Sequence, residues 1–122
     1  MARKEVNEIV KPMGLTDQET GEHYDLEFSR SSVVFTNKQG FKISELYDNM
    51  EEMLPILFYG AFRMHHQNVS RQKTDKILFE DLGGLSDAAL ERLIALYAAP
   101  RKALIREEGE DEVKNSKMTV EL

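Results

Sequence analysis

Residues 54–66 read Leu54-Pro55-Ile56-Leu57-Phe58-Tyr59-Gly60-Ala61-Phe62-Arg63-Met64-His65-His66 and predict one buried helix. Apolar side chains occupy every side of the helical wheel along almost the whole stretch, and a helix of this kind must be enclosed by its own domain or by a partner. The stretch is too short to cross a bilayer, which takes about 20 apolar residues. We therefore expect the chain to fold around this helix, with no membrane as a partner.

The composition predicts one domain and excludes several kinds of chemistry. The chain has 122 residues, a net charge of −6 and no cysteine, which fits a single domain without disulfides, thiolate zinc sites or a cysteine nucleophile. Residues 107–122 hold six acidic and two basic side chains, which gives −4 and leaves −2 for residues 1–106. We expect residues 1–106 to form the domain and residues 107–122 to be a disordered acidic tail.

The charge distribution and the first residues also predict partners and location. Residues 1–106 carry no basic stripe, so nucleic acid is not an expected partner. The first residues lack the apolar core of a secretory leader, and the lack of cysteine is compatible with a reducing cytosol.

The flanking sequence predicts an α+β, mainly α fold, in which an N-terminal β-hairpin packs on a bundle of about four helices. Residues 5–11 are expected to form the first strand, and Lys11-Pro12-Met13-Gly14 is expected to break regular structure. Residues 23–28 alternate polar and apolar side chains, which is typical of a half-buried strand. The apolar face of this second strand consists of Tyr24, Leu26 and Phe28.

Capping signals place the first two helices. Ser29 is expected to start a helix that ends at Gly40, with Phe41 packing back on Phe35, and residues 43–47 form a connector or a single turn. Asn49-Met50-Glu51-Glu52 fits a capping box. Pro55 either kinks the helix that follows or is its first residue, and that helix is expected to end near Gln67.

The last two helices are placed in the same way. Ser70 is expected to cap a helix over residues 71–82, with Ile77, Leu78 and Leu82 facing inward and Gly83-Gly84 ending it. Ser86-Asp87 is expected to open a fourth helix, which Pro100 kinks or divides. Its apolar set follows helical spacing and consists of Leu90, Leu93, Ile94 and Tyr97.

Side chains that are able to carry chemistry do not form a recognised pattern. His65 and His66 are adjacent, so on a helix they point about 100° apart, whereas paired zinc ligands on a helix are typically four residues apart. Ser29, Ser31 and Ser32 lack a nucleophile elbow, and Gly83-Gly84 lacks the rest of a phosphate loop. We therefore expect no catalysis, no metal and no cofactor.

The chain looks similar to a known family in the order of its motifs. The strand Tyr24-Asp25-Leu26-Glu27-Phe28-Ser29-Arg30 is followed by Ser32-Val33 and then by Lys38-Gln39-Gly40-Phe41. Next come Leu54-Pro55-Ile56-Leu57-Phe58-Tyr59-Gly60-Ala61-Phe62 and His65-His66, a short capped helix, and a helix with Leu96-Tyr97 and Pro100. Over residues 22–106 this order resembles the tail assembly chaperones of long-tailed phages and prophages of Gram-positive bacteria.

The resemblance implies a function without catalysis. Chaperones of this family bind the tape measure protein and keep it soluble until tail tube subunits polymerise around it. They act in the bacterial cytoplasm and are absent from the mature virion. A longer product made by a programmed frameshift recruits the major tail tube protein, and this chain would correspond to the short product.

The apolar residues around the buried helix are the predicted partner-binding set. Methionine suits surfaces that adapt to varied apolar partners, and helix-in-groove capture is the expected mode of recognition. The alternative is that these residues form only the core. The predicted set consists of Met53, Phe58, Tyr59, Phe62 and Met64.

Three other functions stay open at this point. The first is a head–tail connector or tail terminator that is retained in the virion, and the second is a small regulatory protein that binds a host protein. The third is a metal-dependent hydrolase that uses His65 and His66, with His23 as a further ligand. Unpaired edges of the hairpin also permit a homo-oligomer.

Overall fold

The computed structural model describes residues 10–102, residue 104 and residues 117–122. Within these residues a β-hairpin precedes four α-helices, which confirms the predicted α+β, mainly α fold class. The elements are β1 (Met13–Thr16), β2 (His23–Leu26), α1 (Arg30–Lys38), a 3₁₀ turn (Ile43–Glu45), α2 (Met50–Phe62), α3 (Arg71–Lys76), a π-helical segment (Ile77–Asp81) and α4 (Asp87–Lys102).

The hairpin is antiparallel, but its first strand lies later in the chain than the sequence predicted. β1 begins at Met13, directly after Pro12. Residues 5–9 of the predicted first strand lie outside the described part of the chain, and residues 10 and 11 are not in a strand. Met13 and Leu15 pair with apolar residues of β2, and this pairing outweighs the turn tendency of Pro12 and Gly14. The paired residues are Met13 and Leu26, Gly14 and Asp25, Leu15 and Tyr24, and Thr16 and His23.

α1 has both of its predicted ends. The Oγ of Ser29 accepts a hydrogen bond from the backbone N–H of Ser32, and the Oγ of Ser32 accepts one from the N–H of Ser29, which forms a capping box. Gly40 has φ of 105°, and the N–H of Phe41 donates to the carbonyl of Thr36 at 3.3 Å. This is the C-terminal arrangement that a glycine after the helix favours.

α2 is one continuous helix over Met50–Phe62, so the alternative that it starts at Pro55 is wrong. Asn49 is the N-cap residue, but the predicted capping box does not form. The amide nitrogen of Asn49 instead donates to Oε1 of Glu52 at 2.9 Å, which joins two side chains and leaves the backbone N–H groups uncapped. The helix also ends before the predicted limit at Gln67.

The core lies around α2, as predicted for a helix that is apolar on all sides. Eight of its 13 residues are buried, and it contacts α1, α3, α4 and β2. The side chains of the core come from the hairpin, the helices and the segments between them. They are Tyr24, Leu26, Phe28, Phe41, Leu46, Met53, Ile56, Leu57, Phe58, Ala61, Phe62, Ile77, Leu78, Leu93, Leu96 and Tyr97.

The predicted starts of α3 and α4 are confirmed. The Oγ of Ser70 accepts from the N–H of Lys73, and the Oγ of Ser86 accepts from the N–H of Ala89, each at 3.1 Å. α4 runs unbroken through Pro100, so the alternative that this proline divides the helix is wrong.

The predicted acidic tail is only partly covered by the structure. Residues 107–116 lie outside the described part of the chain, and residues 117–122 carry no regular secondary structure. Among the described residues, no helix has both the length and the apolar character needed to span a bilayer.

Candidate partner-binding surface

The structure divides the predicted partner-binding residues into two groups. Met53, Phe58 and Phe62 are buried in the core, so they do not form a surface that a partner can touch and can only support one. Tyr59 is half-buried, and 39% of Met64 is exposed, so these two residues reach the surface.

A close contact between α1 and α2 determines which side chains surround Tyr59. Gly60 packs against Thr36, whose side chain is completely buried. Because Tyr59 precedes Gly60 and Phe35 precedes Thr36, the two aromatic residues lie beside this contact. Their ring centroids are 5.5 Å apart.

Arg63 completes this group one helical turn after Tyr59. Its guanidinium carbon lies 4.3 Å from the centroid of the Phe35 ring, which is the geometry of a cation–π contact. We call Phe35, Tyr59 and Arg63 the aromatic seam. All three residues are half-buried, so the seam combines a supported aromatic surface with one positive charge.

Two residues of the seam have an exposed apolar neighbour along the chain. Val34, next to Phe35, is 50% exposed, and Met64 follows Arg63. Single exposed apolar residues are common on soluble proteins, but a group of them is typical of interaction sites. We take the seam together with these two neighbours along the chain as the candidate partner-binding surface.

Sequence reasoning missed most of the seam because it assigned Phe35 a different partner. Phe41 was expected to pack on Phe35, but its ring lies 5.0 Å from the ring of Tyr97 and is buried in the core. Phe35 therefore contacts Tyr59 instead of Phe41. The helical spacing of Tyr59 and Arg63 is visible in the sequence, but the crossing of α1 and α2 is not.

The two adjacent histidines connect the end of α2 to the hairpin. The backbone N–H of Asp25 donates to Nε2 of His66 at 2.9 Å, and Nε2 of His65 lies 2.8 Å from Oε1 of Glu27. His65 and His66 lie in the turn after α2, so the premise that they share a helix with Phe62 is wrong.

His23 bonds to side chains within the hairpin. Its Nδ1 is 2.8 Å from Oγ1 of Thr16, and its Nε2 is 3.0 Å from Oδ1 of Asp25. Each of the three rings therefore uses Nε2 for a different protein group. Among the described residues, no group of three His, Cys, Asp or Glu side chains has the arrangement to hold a metal ion.

The titratable groups with shifted pKa values also have structural explanations. Burial raises the pKa of Tyr97, whose hydroxyl donates to Oδ1 of Asn37 at 2.6 Å. Burial raises the pKa of Tyr24 as well, and the neighbouring carboxylate of Glu22 adds to this shift. In the described part of the chain, every buried side-chain nitrogen and oxygen has a hydrogen-bond partner.

Comparison with known proteins assigns a family. A family model described as "Domain of unknown function (DUF5055)" matches residues 1–122, so the chain belongs to this family. No curated protein and no solved structure matches the chain.

Proposed function

We propose that this member of the DUF5055 family is a tail assembly chaperone of a long-tailed phage or prophage. In this role it binds the tape measure protein and keeps it soluble while tail tube subunits assemble around it. The proposal assigns binding, and no catalysis, to the chain.

The observation that carries the proposal is the aromatic seam with its two exposed neighbours. Phe35 and Tyr59 offer flat apolar surface, Val34 and Met64 offer exposed apolar contacts, and Arg63 lies over the Phe35 ring. An amphipathic helix of a partner is able to lay its apolar face on such a surface. The tape measure protein is a long and largely helical chain with apolar stretches, so it supplies segments of this kind.

The sequence resemblance over residues 22–106 also supports this function, independently of the seam. Its most specific part, Leu54 to Phe62, forms most of α2 and places Tyr59 in the seam. Phe58 and Phe62 then act as supports, because their buried rings fix the helix that presents Tyr59.

The proposal includes a location and a second partner. The protein acts in the cytoplasm of the bacterial host and leaves before the virion matures. A longer frameshift product recruits the major tail tube protein, while the short product described above holds the tape measure protein.

Co-expression tests this proposal directly. The full chain is produced with the tape measure protein encoded in the same genome, and the soluble fraction is measured with and without the chain. We expect the tape measure protein to become soluble and to co-purify with the chain. If it stays insoluble and is not captured, the proposal is wrong for the short product.

A pair of double variants tests the exposed neighbours of the seam. Val34→Ser with Met64→Ser removes exposed apolar contacts beside the seam, and we expect capture of the tape measure protein to fall about tenfold. The matched control is Ile43→Ser with Tyr47→Ser, which removes exposed apolar side chains elsewhere. Equal capture by both variants would mean that the tape measure protein binds another surface.

Purified particles distinguish the chaperone from a head–tail connector or tail terminator. Mass spectrometry of virions is expected to lack the chain. A fixed copy number in the virion would instead support the structural role.

A further inference from the structure

A cleft lies between the hairpin loop, residues 17–22, and the face of α3 and the π-helical segment. Its volume is about 450 Å³, and apolar side chains from both walls reach it. Leu15 and Tyr24 come from the hairpin, and Ile77 and Leu82 come from the opposite wall.

The hairpin wall of this cleft is fixed by its own hydrogen bonds. The N–H of Asp17 donates to the carbonyl of Glu22 at 2.8 Å, which closes the loop. Oδ1 of Asp17 accepts from the N–H groups of Glu19 and Thr20, and these bonds lower the pKa of the Asp17 carboxyl group. The backbone of the loop and the carboxylate of Asp17 are therefore held in place along the rim.

A second groove, of about 570 Å³, lies on the other side of α3 and is lined by Gln72, Phe79 and Glu80 among others. Lys73 and Lys76 line both grooves, so the grooves adjoin along this ridge. We call the two together the double groove. Phe79 is 59% exposed, which gives the second groove an aromatic wall.

The π-helical segment explains why apolar side chains are exposed at the double groove. The N–H of Leu82 donates to the carbonyl of Ile77 at 2.8 Å, five residues back. This wider turn shifts the later residues around the helix axis, and Leu82, which was expected to face inward, is 41% exposed. Single π turns of this kind are frequent at functional sites.

The rim of the double groove carries a negative charge, which favours a positively charged partner. Its lining holds six carboxylates and two lysines. Lys76 pairs with Asp81, and Asp75 pairs with Arg71, which lies outside the lining. Four carboxylates therefore remain against Lys73 alone, namely Asp17, Glu19, Glu22 and Glu80.

The chain's own tail is a poor occupant, because residues 107–122 carry a charge of −4 and like charges repel. A positively charged partner with apolar side chains is complementary both to the apolar lining of the double groove and to its acidic rim.

We propose that the double groove is a second binding surface, separate from the aromatic seam, that takes a cationic amphipathic helix. The apolar face of the helix lies on Phe79 and Leu82, and its lysine or arginine side chains lie beside Glu19 and Glu80. The chemistry of the groove defines this ligand, so the inference does not depend on the tape measure protein.

Synthetic peptides about five turns long test the inference on the full chain. One peptide is an amphipathic helix of leucine and lysine, the second replaces lysine with glutamate, and the third has the first composition in a scrambled order. Binding is followed by amide chemical shifts of the labelled protein. We expect the first peptide to shift the amides of Tyr24, Phe79 and Leu82 and to bind at least tenfold more tightly than the other two.

Charge and apolar contacts are tested separately with matched variants. Glu19→Lys with Glu80→Lys is expected to weaken the lysine peptide about tenfold, while Asp48→Lys with Glu91→Lys makes the same charge change away from the double groove and changes binding less than twofold. A second pair of variants replaces one exposed aromatic residue in the double groove and one away from it. Phe79→Ser is expected to weaken binding about tenfold, and Tyr47→Ser is expected to leave it unchanged.

Three results would overturn the inference. The first is equal binding of the lysine and glutamate peptides, and the second is a set of amide shifts confined to residues outside the double groove. The third is no binding of the lysine peptide at all. None of these results affects the solubility assay for the tape measure protein, so the inference and the proposed function fail independently.

Discussion

Gly60 of α2 lies directly against Thr36 of α1. A Cβ atom at Gly60 would overlap Oγ1 of Thr36 and lie 2.8 Å from its Cβ and Cγ2 atoms. The side chain of Thr36 has little freedom to move, because it is completely buried and its Oγ1 donates to the carbonyl of Ser32 at 2.7 Å. The absence of a side chain at Gly60 therefore permits the contact between the two helices.

The first prediction concerns this contact. Gly60→Ala is expected to lower the free energy of unfolding, since the new methyl group overpacks a filled interface at a cost of about 3 kcal/mol, the upper end of the usual range. The gain in helix propensity from glycine to alanine, about 1 kcal/mol, offsets only part of this loss. Urea denaturation of the wild type and the variant measures the difference.

A second substitution at the same contact tests the cause. Thr36→Ala removes the hydroxyl and methyl groups that the new side chain would meet, so the double variant should be more stable than the sum of the two single losses predicts. Strict additivity of the two losses would show that overlap with Thr36 is not the reason.

The second prediction concerns the connection between α2 and β2. His66→Phe keeps an aromatic ring beside Tyr24, 5.2 Å away in the wild type, but removes the nitrogen that accepts from the N–H of Asp25. We expect a loss of about 1 kcal/mol in the free energy of unfolding and faster amide hydrogen exchange at Asp25. His65→Phe is the control, since its contact with Glu27 is partly exposed and is worth at most about 1 kcal/mol. Unchanged exchange at Asp25 in His66→Phe would argue against this hydrogen bond.

Local signals in the sequence were sufficient for many features of the fold. Ser29, Ser70 and Ser86 cap the helices that follow them, and Gly40 takes the positive φ expected after α1. In each case a few adjacent residues determine the conformation, because the hydrogen bonds of a helix end are local. The apolar wheel of residues 54–66 was equally informative about which helix is buried.

Features that depend on distant partners were not predictable in the same way. β1 forms at Met13 because it has β2 to pair with, and the seam forms because Gly60 lets α1 approach Tyr59. α2 ends at Phe62, and His66 instead bonds to a strand 41 residues earlier in the chain. The sequence placed Tyr59 and Met64 in the predicted partner-binding set without showing which members reach the surface, and it gave no sign of Phe35 or Arg63 beside Tyr59.

The third prediction concerns alkaline pH. Burial raises the pKa of Tyr97, so above the ordinary tyrosine pKa of about 10 the unfolded chain loses the phenolic proton first. The contribution of Tyr97 to the free energy of unfolding is therefore fully retained below that pH and is lost as the pH rises through the folded-state pKa. Tyr97→Phe loses the hydrogen bond to Asn37, worth about 1 kcal/mol, but does not show this part of the decline.

Denaturation of wild type and Tyr97→Phe between neutral and alkaline pH checks the sign. The difference between their free energies of unfolding should narrow above a pH of about 10. Tyr47→Phe, a change at an exposed position, should follow the wild type throughout. A constant difference between wild type and Tyr97→Phe would show that Tyr97 does not titrate differently in the folded chain.

The fourth prediction concerns the charge in the aromatic seam. Arg63→Met keeps an unbranched side chain over Phe35 but removes the cation, and the cation–π contact is expected to contribute about 0.5–1 kcal/mol to the free energy of unfolding. A double-mutant cycle with Phe35→Leu isolates this energy, because leucine keeps apolar packing and removes the ring. Urea denaturation of the four proteins gives the coupling. A coupling close to zero would mean that Arg63 lies over the ring without stabilising the fold.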